Sequence, residues 1–333
     1  LMWQFIEKSN LIVVLTILAV SLYVLSKAAD FLVDNAVKLS KAWGLSEIII
    51  GVTIVSFGTT LPELSASIVS ALQGNGDFAL GNAVGSCITN TSLILGSGAL
   101  FGKIPIDKKS SQKLSILIAA VALLILPTFP YKIVNNNGRI PQIMGIVFLL
   151  LIPAYVYYLI LQDKDTNSIQ DSKPSNTAKG SAPIIIKIFL AAFIITTSAS
   201  ALVSSAEVLA GRIGIPDVII SSTLVAFGTS VPELSTCIAA VKNNHGELAI
   251  GNILGANILN ILLVTGASVA LTPGGIEISE DFYSIHFAAL VVVLLIYGIF
   301  AYNKKSNEIS KREGIILILI YAIYIGANLF STV

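Results

Sequence analysis

Ser56-Phe57-Gly58-Thr59-Thr60-Leu61-Pro62-Glu63-Leu64-Ser65 lies inside a long apolar stretch, and the chain repeats it as Ala226-Phe227-Gly228-Thr229-Ser230-Val231-Pro232-Glu233-Leu234-Ser235. Each copy is followed at the same distance by Gly-Asn-x-x-Gly-x-x-Ile-x-Asn, from Gly81 to Asn90 and from Gly251 to Asn260. One offset of 170 residues relates Glu63 to Glu233 and Asn90 to Asn260. An ionised side chain at bilayer depth is costly, so each glutamate marks a functional site by default.

Composition sets the solvent. Hydrophobic residues make up 55% of the 333-residue chain and charged residues only 12%, against about 25% charged in an average soluble domain. At roughly 20 apolar residues per span, about ten spans are expected. They fall near 10–32, 46–72, 78–101, 112–130, 140–162, 183–210, 216–242, 247–271, 283–303 and 313–331. The predicted fold is all-α and integral to the membrane. A net charge of +1 with no basic tail gives no reason to expect nucleic acid. Cys87 and Cys237 both sit in apolar segments and are expected to pack there, without a disulfide framework.

Lysine and arginine concentrate after odd-numbered spans, as at Lys38, Lys41, Lys103, Lys113, Lys164, Lys242 and Lys311. The positive-inside rule then places both termini outside and the polar 163–182 stretch in the cytoplasm. Five spans separate equivalent positions of the two copies, so the copies enter the membrane in opposite senses. This predicts an inverted-topology repeat with its site at mid-bilayer. The division is 1–162, with spans one to five and a motif region at 56–98, a linker at 163–182, and 183–333, with spans six to ten and a motif region at 226–268.

The repeated motif breaks its own helix. Pro62 and Pro232 lack an amide hydrogen and clash with the carbonyl four residues earlier, at Gly58 and Gly228. Helices two and seven are therefore expected to be broken. Interrupted backbone survives at that depth only where it is buried in protein or lines a wet cavity. The hydroxyls of Thr59, Thr60, Thr229 and Ser230 add neutral oxygens. Calcium takes about six to eight oxygen ligands in flexible geometry, and Glu63 with Glu233 can neutralise one Ca2+. Sodium accepts the same oxygens and tolerates a neutral shell. Competition between one divalent and several monovalent ions is the physical basis of antiport.

At these residues the chain resembles the cation/calcium exchanger superfamily, specifically the sodium/calcium exchanger branch without a large regulatory loop. The resemblance implies a secondary antiporter of the cell membrane, not an enzyme, that exchanges Na+ for Ca2+ by alternating access. It implies no cofactor; the partners are the two ions and the lipid bilayer. Carried over, Glu63 and Glu233 with the carbonyls of Thr59 and Thr229 would hold calcium. Ser56, Thr60 and Ser86 would serve sodium in the first half, with the Ala226 carbonyl and Ser230 in the second. Asn90 and Asn260 would complete the centre. Ala256 stands where Ser86 has its hydroxyl, which would weaken one sodium site or alter how many sodium ions are carried. The alternative within the superfamily is H+/Ca2+ antiport.

Outside the motif, Lys27, Asp30, Asp34 and Lys38 are spaced for an ion ladder on one helix. Glu47 and Asp217 read as helix-start residues at an interface. His245 reads as an interfacial residue that could confer pH sensitivity.

Overall fold

The computed structural model describes residues 2–106, 108–129, 133, 138–167, 181–214, 226–280, 282–302 and 308–331. Its helices in chain order are α1 (Met2–Lys8), α2 (Leu11–Trp43), α3 (Glu47–Thr59), α4 (Leu61–Leu72), α5 (Gly76–Phe101), α6 (Lys108–Ile125), α7 (Gln142–Asn167), α8 (Ala182–Arg212), α9 (Ala226–Gly228), α10 (Val231–Lys242), α11 (Gly246–Leu271), α12 (Phe282–Ala301) and α13 (Lys311–Ser331). Among the described residues seven helices are long and apolar enough to cross a bilayer, or eight when the bent pair α3–α4 counts as one span. The shorter apolar helix Gln112–Thr128 lies in the fourth expected span. The seventh expected span is described only from Ala226 onward, so ten crossings remain an expectation. The fold is that of an all-α integral membrane protein.

Helix α2 runs eleven residues past the expected end of the first span, to Trp43. Hydropathy falls there while helical periodicity continues: Leu32, Val33, Ala36, Val37 and Leu39 are buried, whereas Asp34 and Lys38 face outward. Gly44 ends the helix in the left-handed conformation that glycine adopts without strain (φ 65°). The expected ladder on this face does not close. Lys27, Asp30, Asp34 and Lys38 make no ion pair with one another, and Asp30 instead accepts a 3.4 Å hydrogen bond from Asn243.

Helices α11 and α5 form the centre, with 83% and 72% of their apolar windows buried. Helices α2 and α8 pack along one another. Helix α13 is largely unburied and presents an apolar face of the kind lipid covers. Two short antiparallel sheets, outside the all-helical expectation, tie connecting loops together. The first pairs β1 (Ile104–Pro105) with β4 (Glu308–Ile309), and the second pairs β2 (Gly138–Ile140) with β3 (Ile276–Ile278). Strand pairing satisfies loop backbone groups that would otherwise compete for partners at the bilayer edge. Each sheet joins a loop of the first half to a loop of the second.

At the start of α3, Glu47 pairs with His245, whose Nδ1 lies 3.0 Å from the carboxylate. Asp217 lies outside the described residues. Because both partners are about a quarter exposed, Glu47→Gln should cost under about 1 kcal/mol. The expected Tm loss is small and should shrink only in part in concentrated choline chloride, since a partly buried pair is screened less than an exposed one.

Candidate cation site

Where the proline motif lies, the helix breaks as its local chemistry requires. Helices α3 and α4 meet at 45°, and the hinge residue Thr60 takes φ −81°, ψ −6°. Ser230 takes nearly the same conformation, φ −91°, ψ 2°, between α9 and α10. Pro62 and Pro232 occupy the first turns of α4 and α10, where a missing amide hydrogen costs nothing. Glu63 and Glu233 sit in those same first turns, so the positive end of each helix faces its carboxylate.

Helices α3 and α11 approach backbone to backbone through glycine. A methyl group added at Gly255 would lie 2.5 Å from the Val52 carbonyl oxygen and 2.6 Å from Ser56 Oγ. One at Gly251 would lie 2.5 Å from the Ile48 carbonyl oxygen. This contact draws the break of one half against the Gly-Asn run of the other.

The result is a reciprocal bridge. Thr59 Oγ1 donates to Asn252 Oδ1 at 3.4 Å, and Thr229 Oγ1 donates to Asn82 Oδ1 at 3.5 Å. Both contacts obey the 170-residue offset. Asn82 Nδ2 in turn donates to the Glu63 carbonyl and to Ser67 Oγ, at 3.2 and 2.9 Å. Asn252 Nδ2 donates to Thr236 Oγ1 at 3.0 Å. These asparagines, with Asn257, were not among the predicted site residues. The signal for Asn82 and Asn252 was their place in the repeated Gly-Asn run, whereas Asn257 stands where the first copy has Cys87.

Ser56, Thr59, Thr60, Glu63, Ser86, Asn90, Ser230, Glu233 and Asn260 are all buried, and Thr229 is half-buried. Ala226 opens the short helix α9. Seven buried side-chain oxygens of this set have no hydrogen-bond partner: Thr60 Oγ1, Glu63 Oε2, Ser86 Oγ, Asn90 Oδ1, Ser230 Oγ, Glu233 Oε2 and Asn260 Oδ1. Six of them form three pairs at the 170-residue offset. Ser86 is the seventh, and its equivalent Ala256 is fully buried and offers no oxygen. Native interiors leave few buried polar atoms unpaired, so a symmetric set of unpaired acceptors identifies a place built for something electropositive.

Charge points the same way. The two carboxylates are near enough to repel one another. Neither forms an ion pair with a basic side chain among the described residues. No group of three or more His, Cys, Asp or Glu side chains placed to hold a metal ion occurs among the described residues. The acceptors here are instead two carboxylates surrounded by neutral hydroxyl and amide oxygens. Such a set suits hard cations.

π-Helical turns begin at Asn90 in α5 and, at the equivalent position of the second half, at Asn260 in α11. The widened turn re-aims the side chain that opens it, and such bulges recur at functional sites. Hydropathy and spacing carried no sign of them.

The profile of the sodium/calcium exchanger protein family matches residues 13–161 and 184–330. Sodium/calcium exchanger MaX1 of Methanosarcina acetivorans is 30% identical, over 93% of this chain and 96% of its own. Inner membrane protein YrbG of Escherichia coli is also 30% identical, over 90% of this chain and 92% of its own. The solved structure of the sodium-calcium exchanger NCX_Mj soaked with Na+ and Sr2+ superposes with a TM-score of 0.78 at 27% identity, covering 95% of this chain and 99% of that one. The chain is a multi-pass membrane protein, and it belongs to the sodium/calcium exchanger family.

Proposed function

We propose that this protein is a secondary antiporter of the cell membrane that exchanges Na+ for Ca2+ by alternating access. The cations bind between two inverted repeats, residues 1–162 and 183–333, joined by a cytoplasmic linker at 163–182, with both termini outside. The observation that carries this reading is the set of seven unpartnered buried oxygens, six of them paired at the repeat offset. Glu63 and Glu233, with the carbonyls of Thr59 and Thr229, hold calcium. Ser56, Thr60, Ser86, Ser230 and the Ala226 carbonyl serve sodium, and Asn90 and Asn260 complete the centre. Exchange follows because the same two carboxylates serve either load. The names of the relatives MaX1 and NCX_Mj agree with this ion pair.

Ala256 makes the two halves unequal, with one hydroxyl fewer in the second. Its expected consequence is a weaker sodium position on that side. The proton remains the competing counter-ion, since two carboxylates without a basic partner can also carry protons.

The test is radioactive calcium uptake into proteoliposomes holding the purified full chain. Vesicles loaded with sodium and diluted into sodium-free medium should accumulate calcium at a rate that falls as internal sodium falls. Vesicles with a pH gradient and no sodium should not. Uptake driven by the proton gradient alone overturns the sodium reading and assigns the protein to H+/Ca2+ antiport.

A further inference from the structure

The two central asparagines are equivalent by sequence and unequal by environment. Asn257 Nδ2 donates to Thr91 Oγ1 at 2.7 Å, and Asn257 Oδ1 accepts from Asn90 Nδ2 at 3.1 Å. This relay sets the amide of Asn90. With its nitrogen on Thr91, Asn257 turns its oxygen to Asn90. The Asn90 nitrogen turns toward it, and the Asn90 oxygen is left free among the unpartnered acceptors.

An amide is nearly symmetric in shape but opposite in polarity at its two ends. Flipped, Asn90 would present an NH2 group to a cation. As bonded, Asn90 keeps its nitrogen on Asn257 and its oxygen free.

The other half has no such relay. At the 170-residue offset Asn257 corresponds to Cys87 and Thr91 to Ile261. The Cys87 thiol donates to the Asn257 main-chain carbonyl at 3.5 Å. A thiol is a weak donor and acceptor, and Ile261 has no polar atom with which to orient it. Both substitutions are fully buried, so neither reflects contact with solvent or lipid.

We infer that Asn257, anchored by Thr91, is a positioning residue that holds the Asn90 oxygen toward the cation site, while Cys87 and Ile261 give Asn260 no equivalent amide and hydroxyl anchor. The inference rests on the functional reading above and deepens it. A neutral oxygen matters more to an ion whose shell is built from neutral oxygens than to one held by two carboxylates. Loss of the relay therefore weakens sodium selectively.

The experiment uses purified full-length protein and the variants Asn257→Cys and Thr91→Val. The first places at 257 the residue that the fold already accommodates at the equivalent position. The second removes one hydroxyl at nearly constant shape. Thermal stabilisation is titrated with NaCl, against choline chloride, and separately with CaCl2. In both variants the half-saturating sodium concentration should rise about five- to tenfold, the weight of one net hydrogen bond, while that of calcium moves less than about twofold.

An unchanged sodium titration, or an equal loss for both ions, overturns the assignment. If Asn257→Cys does not fold, Thr91→Val alone decides it. Failure of the functional reading looks different: wild-type protein then gains no stability from either ion, and the inference falls with it. Wild type that binds both ions but shows no sodium-driven uptake sinks the transport reading alone and leaves the relay to be judged by the titrations.

Discussion

Glu63→Gln and Glu233→Gln should each reduce sodium-driven calcium uptake by more than about a hundredfold while leaving the protein folded. Both carboxylates are buried, and each has one oxygen without a partner. On the proposed function, a bound Ca2+ would be held by their two negative charges. Removing one partner of a buried charge interaction costs about 3–5 kcal/mol, and about 1.4 kcal/mol is tenfold in affinity. Stability should change in the opposite direction. Each substitution replaces a buried carboxyl with an unpartnered oxygen by a neutral amide of the same shape, so the ion-free Tm should rise. Uptake in proteoliposomes and thermal unfolding without calcium or sodium read the two effects. A variant that transports normally would remove that glutamate from the site.

Gly255→Val should collapse the protein. The side chain would enter against the Val52 carbonyl oxygen and Ser56 Oγ, both inside 3 Å of its first carbon. The nearer atom belongs to backbone in the middle of α3, which cannot yield as a flexible side chain can. Overpacking a core costs about 1–3 kcal/mol where neighbours can shift, and the upper end or beyond is expected here. Gly255→Ala should already lower the Tm by several degrees. Gly298→Ala is the control, because nothing lies within 4 Å of a methyl at that position and alanine favours a helix over glycine by about 1 kcal/mol. Transport should fail together with stability, since the displaced helix carries Ser56 and Thr59. Equal Tm values for the two alanine variants would show that the α3–α11 contact contributes nothing.

The two predictions concern features that were not equally legible. The glutamates were legible because an ionisable residue inside an apolar run stands out without any knowledge of its neighbours. The break before each was legible because proline acts on its own helix, four residues away. Most span limits followed from hydropathy within a few residues. The extension of α2 to Trp43 did not, since its second half is amphipathic and satisfies a helical period instead of a bilayer.

What lay beyond the sequence has a common cause. Thr59 meets Asn252, and Asn90 meets Asn257, across separations of 193 and 167 residues. Nothing local in the chain specifies these contacts. They depend on how far α3 sinks into α11, which Gly251 and Gly255 permit, and on the widened turns that open at Asn90 and Asn260.

The sequence by itself determined that this is a membrane protein of mostly helical spans, with a duplicated acidic motif and paired helix breaks. Those properties come from transfer energies and backbone constraints that act residue by residue. Only the tertiary structure decided which oxygens are left without partners and which amide is held in place. Hydrogen-bond satisfaction is a property of the packed interior: an oxygen is unpaired only once every neighbour has been placed.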